Sequence, residues 1–155
     1  MPAPTVEATR KAGAAVQTLS VPEINRRQSA EIGDPLMAFF TILARKLFPA
    51  EAESAIVGRV RLMMASWFLR GEIEHTPIAP PDEATARTAV DAVAGLDDRA
   101  LDQRIEHEIG DVVMAYFAAF LNKVMPEKNQ DARTKQVQLM IHAYLLRGDL
   151  AGKKK

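Results

Sequence analysis

Glu31-Ile32-Gly33-Asp34 returns as Glu108-Ile109-Gly110-Asp111, 77 residues further along the chain. The register extends both ways without a gap. Met37-Ala38, Phe40, Lys46 and Pro49 recur as Met114-Ala115, Phe117, Lys123 and Pro126. Leu62-Met63 and Leu69-Arg70-Gly71 recur as Leu139-Met140 and Leu146-Arg147-Gly148. Upstream, Pro4, Arg10, Ala12, Ala15-Val16, Leu19 and Arg27 have identical counterparts. Across 4–73 against 81–150, 23 of 70 positions are identical. That pattern reads as a tandem duplication. The expected layout is one helical unit over 4–73, a Pro-containing linker over 74–80, a second unit over 81–150 and a basic tail over 151–155.

Each unit predicts four helices. The first, Thr5–Gln17 or Asp82–Ala94, has Thr5 or Asp82 as N-cap. The second, Ser20–Ile32 or Asp97–Ile109, opens on Ser20 or Asp97, with Ser20-x-x-Glu23 a capping box. Gly33-Asp34-Pro35 reads as a left-handed helix stop, a cap and a first-turn proline. Gly110-Asp111 repeats the first two. The third helix, Pro35–Phe48 or Val112–Met125, is apolar nearly all round, as a central buried helix would be. The fourth runs from Ser54 or Asp131 as caps to Arg70 or Arg147, with Gly71 and Gly148 as stops. No stretch alternates with period two for long enough to make a strand. The fold class is all-α.

The short loop at Pro49 or Pro126 makes helices three and four an antiparallel hairpin. Phe40, Leu43, Val60, Met63, Trp67 and Leu69 keep bulky apolar counterparts in the second unit. Each contributes about 1.5–3 kcal/mol when fully buried. They surround helix four on more than one side, so the two units are expected to pack as a pseudo-twofold bundle, a dimer fused into one chain. Met63, Met64, Trp67, Met140 and Tyr144 form an aromatic and methionine stripe. It suits either the contact between units or a groove for a partner helix.

Composition narrows the function classes. The 155 residues contain no Cys, which removes thiol catalysis, disulfides and thiolate metal sites. The start, Met1-Pro2-Ala3-Pro4, lacks the basic and apolar stretches of a secretory signal, and no apolar run approaches bilayer length. A soluble, cytoplasmic protein without a membrane partner is the expectation. Twenty Lys+Arg balance twenty Asp+Glu, so no bulk positive charge draws in nucleic acid. The balance is uneven along the chain: +2 in the first unit, −4 in the second, −1 in the linker and +3 in the tail.

The repeated Glu-Ile-Gly-Asp motif could gather Glu31, Asp34, Glu108 and Asp111 around a metal. Caps and ion pairs explain it more simply, with Glu31 level with Arg70 and Glu108 level with Arg147. Glu106-His107-Glu108 and His142 do not converge, because consecutive helical residues point about 100° apart. No triad spacing, phosphate loop or dinucleotide motif is present, and the expected catalytic, metal and cofactor sets are empty. An apolar third helix with no base-reading side chains in its first turns argues against a helix-turn-helix reader.

Three functions fit this sequence. The foremost is a non-enzymatic protein-interaction module, an adaptor, assembly factor or regulator, whose partner is another protein or a second copy. Its acidic surface would be Asp97, Asp98, Asp102 and Glu106. The second is nucleic-acid binding through Arg26, Arg27, Arg59, Arg61 and Lys153–Lys155. The third is a small enzyme or ligand binder with a pocket between the units.

Overall fold

Side-chain caps set the helix starts. Thr5 accepts from the Ala8 amide at 3.1 Å, opening α1 (Val6–Gln17). Ser20 and Glu23 close their capping box around α2 (Val21–Arg27). Asp82 and Asp97 accept at 2.7 Å at the starts of α5 (Glu83–Ala94) and α6 (Asp98–Arg104). The computed structural model describes residues 2–124, 126 and 128–152. Among these all regular structure is helical. The other helices are α3 (Gly33–Leu47), α4 (Glu53–Glu74), α7 (Gly110–Val124) and α8 (Gln130–Gly152). No helix of the described residues is long and apolar enough to cross a membrane.

Several local expectations give way. The second helix of each unit is not continuous. α2 and α6 pass into π turns at Gln28–Ile32 and Ile105–Ile109, a form that accommodates an extra residue. Gly33 does take positive φ, but at φ 81° and ψ 167° it lies outside the left-handed helical well. Asp34 and Asp111 make no capping bond or ion pair among the described residues and face solvent. They stand in the first turns of α3 and α7, where a negative charge meets the positive helix end. Ser54 and Asp131 are not caps either. α4 starts after Ala52, without a side-chain cap. Asn129 accepts from the Ala132 amide at the start of α8.

The central helices are α4 and α8, rather than the third helix of each unit. α3 buries one face, through Leu36, Phe40 and Ala44, and leaves Ile42 exposed. Residues 62–70 of α4 are buried without interruption. Arg59 donates to Gln136 at 3.0 Å, Ser66 to the Met140 carbonyl at 2.7 Å and Arg70 to the Tyr144 carbonyl at 2.9 Å. Partners stay 74 to 77 residues apart along the whole length, so α4 and α8 run parallel, side by side.

The flanking helices cross between the halves. α1 packs on α4 and α7, while α5 packs on α8 and α3. The Tyr116 hydroxyl donates to the Gly13 carbonyl at 3.3 Å. A Cβ on Gly110 would stand 2.8 Å from Ala3, and one on Gly33 would stand 2.7 Å from Pro80. Each glycine thus combines positive φ with the segment that leads into the other half lying against it. Buried residues of both halves form one core.

Gly71 and Gly148 do not stop helices. α4 continues to Glu74, where His75 takes the left-handed conformation, and α8 continues through Gly148. The glycines make room for arginines of the opposite half. A Cβ on Gly71 would be 2.7 Å from Arg147 Nη2, and one on Gly148 would overlap the Arg70 guanidinium. Arg70 lies over the Tyr144 ring at 4.7 Å, and Arg147 over Trp67 at 5.8 Å.

This crossing corrects the expected ion pairing. Arg70 reaches Glu108 of the second half at 3.2 Å and Glu74 at 3.1 Å, rather than Glu31. Glu31 instead pairs with Arg27 one turn earlier, at 2.6 Å, and Glu108 with Arg104 at 2.7 Å. Arg147 is held by the Thr76 carbonyl at 2.7 Å, and its Nε and Nη1 have no hydrogen-bond partner among the described residues. Burial pushes its pKa below the ordinary arginine value.

Burial alone would raise the Glu108 pKa, but Arg104 and Arg70 outweigh it and hold the carboxyl below its usual range. The stability this supplies is complete above the unfolded pKa, about 4.3. It is lost as pH falls through the lower folded value. Glu108→Gln is therefore expected to flatten stability against pH between the unfolded pKa and that lower value. Acid titration of the urea midpoint checks this, and an unaltered acid slope contradicts it.

Candidate ligand site

The expected surfaces resolve differently once folded. Met63, Trp67, Met140 and Tyr144 are completely buried and Met64 nearly so, so most of the stripe is spent inside the protein. Phe40 meets Trp67 edge-on at 5.9 Å, and Phe117 meets Tyr144 at 6.0 Å.

The four arginines assigned to nucleic acid do not make one basic face. Arg59 is 3% exposed and pairs with Glu51 at 2.5 Å above the Phe48 ring. Arg27 is held by Glu31 and Glu72 over Phe68. Burial works against its charge, yet the two carboxylates prevail and raise its pKa. Only Arg26 and Arg61 remain exposed. Lys153–Lys155 lie outside the described residues. On the acidic side, Asp97 is spent as a cap, while Asp98, Asp102 and Glu106 stay exposed along α6 and its π turn. Among the described residues no group of acidic or histidine side chains could hold a metal ion.

The concave feature that stands out is a cleft of about 200 Å³ between the halves. α1 supplies Val16 and Gln17, and Leu19 and Ile24 follow from the next turn and α2. α4 forms the floor with Met64, Ala65 and Phe68 and places Arg61 at the rim. α7 closes the far side with Phe120, Lys123 and Val124. The walls are apolar because α1 crosses onto the other half and leaves a gap where α4 carries only alanine.

The part of the corresponding place 77 residues on that lies against His142 is nearly full. There Val93, Ala94, Leu43 and His142 stand where Val16, Gln17, Phe120 and Ala65 stand in the cleft, around a void of only about 10 Å³. His142 is the bulky member, and burial holds its pKa below the ordinary histidine value. It is therefore a neutral plug at neutral pH. Three other grooves are larger. One of about 240 Å³ lies between α2, α3 and α4 and shares Ile24, Arg61 and Met64 with the cleft. Two of about 410 and 420 Å³, along α7–α8 and beside the linker, are broader and open to solvent. The linker groove carries Glu31 and Glu72, both paired with Arg27, beside Arg147, which has no ion pair among the described residues.

No family model matches the chain, and no curated protein or solved structure matches it at a significant level. Functional argument therefore rests on the cleft itself.

Sequence reasoning did not locate this cleft. Aligning the halves does pair Ala65 with His142 and Arg61 with Gln138. That signal gives side-chain size and charge, without showing that the surrounding helices leave space.

Proposed function

We propose that the chain is a tandem duplication of a ~70-residue four-helix unit, fused as a pseudo-twofold body, and that it works as a non-enzymatic binding protein. It holds a small, largely apolar molecule in the cleft beside Ala65. The duplication is supported by helix boundaries that fall 77 residues apart in the two halves. It is also supported by reciprocal contacts, Ala3 on Gly110 with Pro80 on Gly33, and Arg70 on Gly148 with Arg147 on Gly71.

The observation that carries the binding role is the difference between the halves, open at Ala65 and closed at His142. An apolar cavity of about 150 Å³ suffices to take up benzene, and this cleft is larger. Its polar side chains are Gln17, Arg61 and Lys123. They include no carboxylate, imidazole or hydroxyl to act as base or nucleophile. We place this role ahead of protein interaction because Met63, Trp67, Met140 and Tyr144 of the stripe suited to a partner helix are fully buried.

Calorimetric titration with decanol, a neutral apolar probe, tests the reading. Wild type is expected to bind one equivalent. Ala65→His, which installs the plug of the other half, is expected to weaken binding by about tenfold or more, about 1.4 kcal/mol per factor of ten. Its melting midpoint shows whether it is folded. No binding to wild type, or equal binding to a folded Ala65→His, contradicts the proposal.

A further inference from the structure

We propose that the occupant of the cleft is a single-chain amphiphile with a carboxylate head, seated with the head between Arg61 and Lys123 and the chain against Met64, Phe68 and Phe120. This deepens the binding role above and rests on it.

The charged side chains lining the cleft are both cations, one from each half: Arg61 on α4 and Lys123 on α7. No acidic residue joins them among the described lining residues. Arg61 has no hydrogen bond or ion pair among the described residues, whereas Arg27, Arg59, Arg70 and Arg104 all engage carboxylates. Lys123 makes one long bond, 3.4 Å, to Gln17 at the same mouth. A fork of N–H donors and an ammonium on opposite rims would meet a carboxylate from two sides, and such charge-assisted bonds are about twice as strong as neutral ones.

The charge pair also goes with the opening. At the equivalent positions of the other half, Gln138 and Lys46 correspond to Arg61 and Lys123, so the second half carries one cation where the cleft carries two. Size limits the tail. About 200 Å³ among side chains fixed by the core admits one short chain or ring rather than the two chains of a membrane lipid.

Titration of the full chain with decanoate, decanol and decyltrimethylammonium, all below their micelle concentrations, separates the possibilities. Decanoate is expected to bind about tenfold more tightly than decanol, and decyltrimethylammonium more weakly than either. Arg61→Gln/Lys123→Gln is expected to bring decanoate down to the decanol level and leave decanol unchanged. The unchanged decanol affinity shows that this variant keeps its cleft. Equal affinities of wild type for all three probes, or a decanoate preference that survives in the double variant, overturns the carboxylate assignment while the cleft remains a binding site. If none of the three binds wild type, the cleft reading fails and takes this inference with it.

Discussion

Gly148→Val is expected to destabilise the protein by about 3 kcal/mol or more, the combined effect of overpacking and of disturbing a buried ion pair. The added side chain would occupy the space of the Arg70 guanidinium. Arg70 is 2% exposed and cannot swing into water without leaving Glu108, Glu74 and the Tyr144 carbonyl. Its displacement would also uncover the Tyr144 ring beneath it. For a chain of this size such a loss lowers the melting midpoint by about 6–12 °C. An ordinary helical position with no arginine against it would give a different result. Valine would then cost little at a position inside the last turns of α8, where glycine itself is a poor helix former. Urea unfolding distinguishes the two, and a cost under about 1 kcal/mol would show that the arginine has room to move.

The second large effect is a gain. His142→Ala is expected to open a second cleft, raising the decanol stoichiometry from one to two. The neighbouring Leu43, Val93 and Ala94 are apolar and sit at positions equivalent to the walls of the existing cleft. His142 is half-buried and its Nδ1 has no hydrogen-bond partner, so removing the ring leaves no carbonyl or carboxylate stranded. Calorimetry of the folded variant reads the number of sites. A stoichiometry that stays at one shows that the walls, rather than the histidine, close this side.

How much of this could be read from residue order depends on range. The caps at Thr5, Ser20, Asp82 and Asp97 were legible because each acts within one turn of its own helix. Gly33 was legible as a positive-φ position, but the Pro80 side chain that lies where its Cβ would be is contained in no local rule. Gly71 and Gly148 were misread for the same reason. A glycine after a cation at the end of an apolar helix looks like a stop, and only an arginine from the other half reveals its use as a clearance. Arg59 looked like solvent-facing charge, although its partners Glu51 and Gln136 bury it. The third helices looked central because they are apolar, whereas α4 and α8, with arginines inside them, are the buried pair. Ser66 bonds across the pair, and Gly71 and Gly148 leave room for the arginines. A pocket between the units was expected, but its place beside Ala65 could not be read, since it is a space left where α1, α2, α4 and α7 pack.

The central claim is that a ligand sits in that space, and its most direct test is a crystal structure grown with 10-bromodecanoate. The account places the carboxylate between Arg61 and Lys123 and the anomalous bromine signal among Met64, Phe68 and Phe120. Bromine in the groove along α7–α8 or beside the linker, with the cleft at Ala65 empty, would contradict it.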